Sequence, residues 1–376
     1  MALEIKQLFE GSSALVSGTK TLDVTTLTNK ITGGSGVAYD PAKTMLITSI
    51  LHTASSPNNW KHDEFLVTGG SDDEFTVRIA GTQTPTFYYQ LIEFTSASDI
   101  TIQHGSTVVN STSVAVTLST IVVANAFPRV TFRKSGTILD DDDFCQANIT
   151  TTTNMELGIR SGTSTVYWQV IESSDFSVTK YSQTMAINNN NYNTSISVDL
   201  AKTFCVTTGR QTNGAGCAGK DLYKLEMTSA TNLNWWRYET LSPVSWSTIS
   251  YVVEITGEST VESSNLTFGT GTGEGDDYVT TTVSAGDEDD SIIFPSTIQG
   301  GIGITSDGDD AYDDFGFSGF WNTSTDVRVI RDSSTDAGQC FLQVIRIVPP
   351  VVGGGGNLVD NNPLFGNKLV GGLLVA

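Results

Sequence analysis

The residues of this chain best suited to chemistry are its carboxylates. The stretch "SDGDDAYDD" places Asp307, Asp309 and Asp310 around a glycine, while "LDDDDF" and "GDEDD" supply Asp140 to Asp143 and Asp287 to Asp290. Carboxylate oxygens are the hard ligands that Ca²⁺ prefers, so Asp307, Asp309 and Asp310 are the candidate metal ligands. The stretch lacks the full spacing and closing glutamate of a calcium loop. The favoured reading of all three runs is a solvated turn, or charge that protects a sheet edge from aggregation. A pair of carboxylates also suits glycosidase-type acid/base work, but these fall in turn-like runs with no cleft to be inferred. The three histidines, His52, His62 and His104, lie in the first 104 residues, which argues against a Ser-His-Asp triad or a His-rich metal site. "GTGTGEG", Gly269 to Gly275, has no Lys-Ser/Thr and no strand-to-helix setting, so it reads as a glycine-rich loop rather than a phosphate cradle. The expectation is a non-enzymatic chain without a cofactor, calcium being the open option.

Other side chains suit contact rather than catalysis. Arg78, Arg160, Arg237 and Arg328 recur in extended settings such as "TVRIA" and "DVRVI". They are expected either to pair across strands with Glu93, Glu172 and Glu254 or to form a subunit contact, the structural pairing being favoured. Trp60, Trp235, Trp236 and Trp321 have the faces that stack on sugars, although core or interface anchoring is the commoner use. The cysteines Cys145, Cys205, Cys217 and Cys340 show no CxxC spacing; Cys205 and Cys217 either close a short loop or remain buried thiols.

The elements that must carry these residues are written as a repeat. "FYYQLIE" at Phe87 to Glu93 returns as "VYWQVIE" at Val166 to Glu172, and more weakly as "ISYVVEI" at Ile249 and "CFLQVIR" at Cys340. Gln90 then aligns with Gln169, Tyr251 and Gln343. A recurring arginine precedes each phrase, and an acidic–aromatic pair precedes each arginine: Phe65, Phe144, Tyr223 and Phe315. An apolar strand lies upstream again, as in "TMLIT", "FPRVTF", "TFCVT" and "SIIFP". Short runs of period two, as in "SVAVTL", predict strands with one wet face. "YWQVIE" is apolar on both faces and predicts a central strand covered on both sides. The pattern predicts an all-β protein of four tandem, small, antiparallel six-stranded β-sandwich domains at 5–95, 98–174, 176–256 and 258–348, with a Gly-rich C-terminal tail at 349–376. That tail, with its apolar end, is expected to act as an arm docked on a partner subunit.

Composition agrees. Only 16% of the 376 residues are charged, and the net charge of −21 disfavours nucleic acid or an anionic membrane as partner. The opening "MALEIKQLFEG" lacks a basic region followed by an apolar core, so no secretory signal is expected. No apolar run reaches about 18 residues, so no transmembrane helix is expected.

The second copy carries a resemblance. Pro128 and Val130, then Ala147, Asn148, Ile149 and Thr150, then Trp168, stand in the order of the H-type lectin pattern. This likeness implies a six-stranded antiparallel sandwich that trimerises and binds sugars at subunit boundaries. The tandem units also resemble β-domains of virion proteins of tailed bacteriophages. The resemblance implies a structural virion protein, whether capsid decoration, head fibre or tail-associated component, made in the bacterial host cytoplasm. Its partners would be other virion subunits, in a homo-oligomer with a trimer as the guess. A host-attachment adhesin for cell-surface glycans is the alternative. A filament or surface protein of a bacterium is a third reading.

Overall fold

The computed structural model describes residues 3–16, 18–51, 62–66, 73–79, 85–133, 144–213, 222–237, 243–268, 277–283, 290–295, 318–331 and 338–348. Among them the chain is all-β, with 3-10 turns and no α-helix. The first strands are β1 (Ile5–Ala14), β2 (Thr19–Asp23), β3 (Thr44–Leu51), β4 (His62–Leu66), β5 (Glu74–Ile79) and β6 (Thr86–Phe94). Next come β7 (Ile100–Val109), β8 (Val114–Thr117), β9 (Ala126–Arg133), β10 (Gln146–Thr151), β11 (Asn154–Gly158) and β12 (Ser164–Ser173). Then follow β13 (Phe176–Met185), β14 (Asn191–Ser195), β15 (Thr203–Gln211), β16 (Lys224–Ser229), β17 (Asn232–Trp236) and β18 (Trp246–Ile255). The last are β19 (Thr260–Phe268), β20 (Asp277–Thr282), β21 (Ser291–Pro295), β22 (Ser318–Trp321), β23 (Asp326–Arg331) and β24 (Gly338–Arg346).

These strands form eight three-stranded antiparallel sheets among the described residues, and one plan recurs. β6 lies between β1 and β3, while β5 lies between β2 and β4; β12 and β11, β18 and β17, and β24 and β23 take the same central places. In each pair one sheet is larger because its strands are longer, and the recurring phrase is the central strand of that larger sheet each time. Four apolar clusters fill the spaces within successive sheet pairs, for example Phe9, Leu46, Phe75 and Phe87 in the first. A fifth cluster is shared: Met45, Phe127, Phe204 and Ile292, from β3, β9, β15 and β21, lie in one core with Ile92, Ile171, Val253 and Ile345 from the four central strands. Phe127 stands 5.5 Å from Phe204 and 6.3 Å from Phe294, ring centre to ring centre.

The shared core explains why the phrase is apolar on both faces. Alternate residues of a strand point to opposite sides. Leu91 turns into the cluster of its own sheet pair, and Ile92 turns into the shared one. Small residues make room where neighbours crowd. Gly105 on β7 faces Trp168 on β12, and a Cβ there would stand 2.3 Å from the indole. Gly11 faces Tyr89 in the corresponding place of the first pair, where a Cβ would lie 2.8 Å from the phenol oxygen.

Candidate functional site

The chemistry of this molecule gathers at the joints between sheet pairs. On each central strand the residue aligned with Gln90 shares a face with the shared-core residue two places on, so its polar end meets the neighbouring sheet pair. Gln169 of β12 clamps Leu46 of β3: the Leu46 N–H donates to Oε1 at 3.2 Å, and Nε2 donates to the Leu46 carbonyl at 2.8 Å. Gln343 of β24 clamps Cys205 of β15 in the same way, at 2.6 and 2.9 Å. Gln90 of β6 accepts from the Ile293 N–H of β21 at 2.9 Å and donates through Nε2 to Glu10 at 3.0 Å. At the fourth joint Tyr251 of β18 replaces the glutamine and its hydroxyl accepts from the Ile149 N–H of β10 at 2.9 Å.

The direction is the same at each joint, and the last sheet pair meets the first. Further bonds follow the same cycle. Arg78 on β5 donates to the Tyr167 hydroxyl on β12 at 2.6 Å. Gln146 on β10 donates to the Ser247 carbonyl on β18 at 2.8 Å. Lys224 on β16, buried and ion-paired to Glu226 at 2.9 Å, donates to Asn265 on β19 and Gln339 on β24. The Trp321 N–H on β22 donates to Glu10 on β1 at 2.9 Å, and Phe320 stacks on Tyr88 at 4.7 Å. Phe144 reaches from the segment before β10 into the next pair's core, edge-on to Trp246 at 4.7 Å.

Arg78, Arg237 and Arg328, three of the four arginines expected to pair with the glutamates of the phrase, have other partners. Arg78 and Arg328 sit on β5 and β23, in the smaller sheets, and Arg160 and Arg237 lie just past β11 and β17. Glu93, Glu172 and Glu254 sit in the larger sheets, so the two sets are not cross-strand neighbours. Arg78 makes the contact between sheet pairs just described. Arg237 is fully buried and donates to three backbone carbonyls, those of Asn189, Val244 and Ala186. Arg328 lies 4.2 Å above the Tyr278 ring. Two of the glutamates, Glu93 and Glu172, hold turns instead. Glu93 accepts from the Asp40 N–H at 3.0 Å, and Glu172 accepts from the Val122 N–H at 2.6 Å. Asp40 and Val122 each precede a 3-10 turn that leads into β3 or β9.

Two of the tryptophans offered as sugar platforms are buried: Trp235 is 1% exposed and Trp321 8%. Trp235 donates from Nε1 to Ser250, which explains a buried indole in a core. Trp236 is half-buried beneath Lys224, whose Nζ stands 5.3 Å from the ring; Trp60 lies outside the described residues. Asp307, Asp309 and Asp310, the tail at 349–376, and the glycine-rich loop also lie outside them. Among the described residues no group of three or more His, Cys, Asp or Glu side chains is placed to hold a metal ion.

Cys145, Cys205 and Cys340 are free and buried, so Cys205 closes no disulfide loop. Burial pushes the thiols of Cys145 and Cys340 up to about 12 and that of Cys205 up as well, which keeps them protonated and unreactive. Burial lowers the pKa of His104, against the opposing pull of the Pro41 carbonyl that accepts from Nε2 at 2.9 Å.

The glutamine of the phrase serves in the sequence only to align the copies, and its role as a clamp emerges from the structure. The signal that could have found it was a polar residue recurring in the middle of a strand apolar on both faces.

No family model matches this chain, and no curated protein matches it. Among the described residues no helix is long and apolar enough to cross a membrane.

Proposed function

We propose that this chain is a non-enzymatic structural protein that contributes a rigid, self-closed building block to an ordered assembly. In this reading each sheet pair is a six-stranded β-sandwich domain, with bounds at 5–95, 98–174, 176–256 and 258–348, and residues 349–376 form an arm that reaches a neighbouring subunit. The observation that carries it is the cycle of joints: buried amide clamps and a shared apolar core commit the polar and aromatic residues of the repeat to holding the sheet pairs together. The resemblance to tandem β-domains of tailed-phage virion proteins supplies the class of assembly, as a capsid decoration, head fibre or tail-associated component working with other virion subunits.

Imaging of intact particles at side-chain resolution tests this reading. The expected result is repeated copies of the chain at symmetric positions, with residues 349–376 on an adjacent subunit, and loss of particle integrity on deletion of the gene. Saturable binding on a glycan array, with particles intact after deletion, would overturn it in favour of a host-attachment adhesin. Burial of Trp235 and Trp321 favours the structural outcome.

A further inference from the structure

At three joints a glutamine accepts from an N–H of the neighbour's β3, β15 or β21, at the fourth no glutamine does so, and the difference traces to a proline. The amides reached by the clamp glutamines belong to Leu46, Ile293 and Cys205. Those residues stand opposite Leu91, Val344 and Val252 of the central strands. The corresponding residue of β9, opposite Val170, is Pro128. Proline has no N–H, and β9 tolerates it because it is an edge strand whose amide at this place points away from its own sheet. A glutamine presented to β9 would find a carbonyl without an amide, and its own oxygen would be buried without a donor. The strand that faces this place, β18, carries tyrosine at the clamp position. Its ring joins the shared core, and its hydroxyl passes on to β10, accepting from the Ile149 N–H at 2.9 Å and approaching the Ala147 carbonyl at 3.4 Å.

We infer that Pro128 and Tyr251 are a matched pair that makes the joint between the β7–β12 and β13–β18 sheet pairs specific for its own partner and so sets the cyclic order of the molecule. Head-to-tail joints between like units are interchangeable in principle, and they permit skipped units, added units or exchange with a second copy of the chain. A clamp glutamine set on Pro128 leaves its oxygen unsatisfied. A tyrosine set on Leu46, Cys205 or Ile293 leaves that residue's buried N–H uncovered. Each mismatch is penalised by the polar group it strands, so specificity arises from the wrong pairings as well as the right one. The pairing is a property of the joints and is independent of what the protein assembles with.

A double-mutant cycle on the full chain tests it, read as the denaturant midpoint of tryptophan fluorescence. Tyr251→Gln is expected to lower the midpoint. Tyr251→Gln combined with Pro128→Leu is expected to recover most of that loss, because a leucine in place of the proline restores the amide that a glutamine clamp needs. A combined loss equal to or greater than the sum of the two single losses would overturn the pairing. Should Tyr251→Gln not fold, a folded double variant supports the pairing and an unfolded one sinks it. Tyr251→Phe, which keeps the ring, should also lower the midpoint; an unchanged value excludes a role for the hydroxyl and with it the proposal.

Discussion

Glu93 is 1% exposed and yet has no need of the arginine expected beside it. Lys6 donates to it at 2.8 Å, Gln7 at 2.6 Å and the Asp40 amide at 3.0 Å, so the buried carboxylate is satisfied from its own sheet and the adjoining turn. In the fourth copy the polarity is reversed: Arg346 replaces the glutamate and pairs with Asp290 at 2.8 Å. The buried Arg237 fork, aimed at three carbonyls, cannot be reproduced by an ammonium. Arg237→Lys should therefore reduce stability by about 3 kcal/mol in equilibrium denaturation, as charge-assisted hydrogen bonds are lost in a buried site. His104 contributes a pH dependence of definite sign. Its folded pKa lies below the unfolded value, so the unfolded chain binds the extra proton. Stability is present above about pH 6.5 and declines as pH falls through that value. Denaturation between about pH 8 and 5 should show a steeper acid-side loss in the native chain than in His104→Gln. Cys145, Cys205 and Cys340 should resist alkylation at neutral pH in the folded protein and react once it is denatured, as read by mass spectrometry of the labelled peptides.

At the scale of the element, the central strands carry two duties on opposite faces. One face fills a sheet pair, and the other meets the shared core and the neighbour's edge strand. Gln343→Ala leaves the Cys205 N–H and carbonyl buried without their side-chain partner, and Gln169→Ala does the same to the Leu46 N–H. Each should lower stability by about 1–3 kcal/mol, measured from urea midpoints at constant slope. The turns before the edge strands are built alike where the sequence allows. Asp40 and Asp199 each cap a 3-10 turn, at the amides of Ala42 and Ala201. Lys43 then donates to the carbonyls of Ser98 and Ile100, and Lys202 to those of Gly257 and Ser259. The segments "DPAKT" and "DLAKT" thus pin the connections that lead to β7 and β19. Gly105→Ala should cost about 1–3 kcal/mol by forcing Trp168 off its place, with a changed near-ultraviolet dichroism as the local sign.

For the whole molecule the shared core is the feature with the largest consequence. Phe127 contacts the rings of Phe176, Phe204 and Phe294, from β13, β15 and β21, so one side chain ties together three sheet pairs. Phe127→Ala should lower stability by about 3–5 kcal/mol. Hydrogen exchange should accelerate in β9, β15 and β21 alike, whereas truncating a residue of a single cluster, such as Leu157, should act chiefly on β8, β10 and β11. Exchange confined to β9 after Phe127→Ala would contradict a core held in common.

Strand type, the repeat and the identity of the central strands were legible in the residues alone. Period-two alternation and a phrase apolar on both faces follow from local geometry that every copy must obey. What covers the second face was not legible, because burial is non-directional and an apolar face does not name its partner. The clamps depend on contacts such as that between Gln169 and Leu46, 123 residues apart, which exist only once the chain has closed. The arginine and glutamate repeats kept step along the sequence and yet stood on different sheets. Tertiary structure alone decided their partners, because register along the chain fixes spacing and not the layer to which a strand belongs.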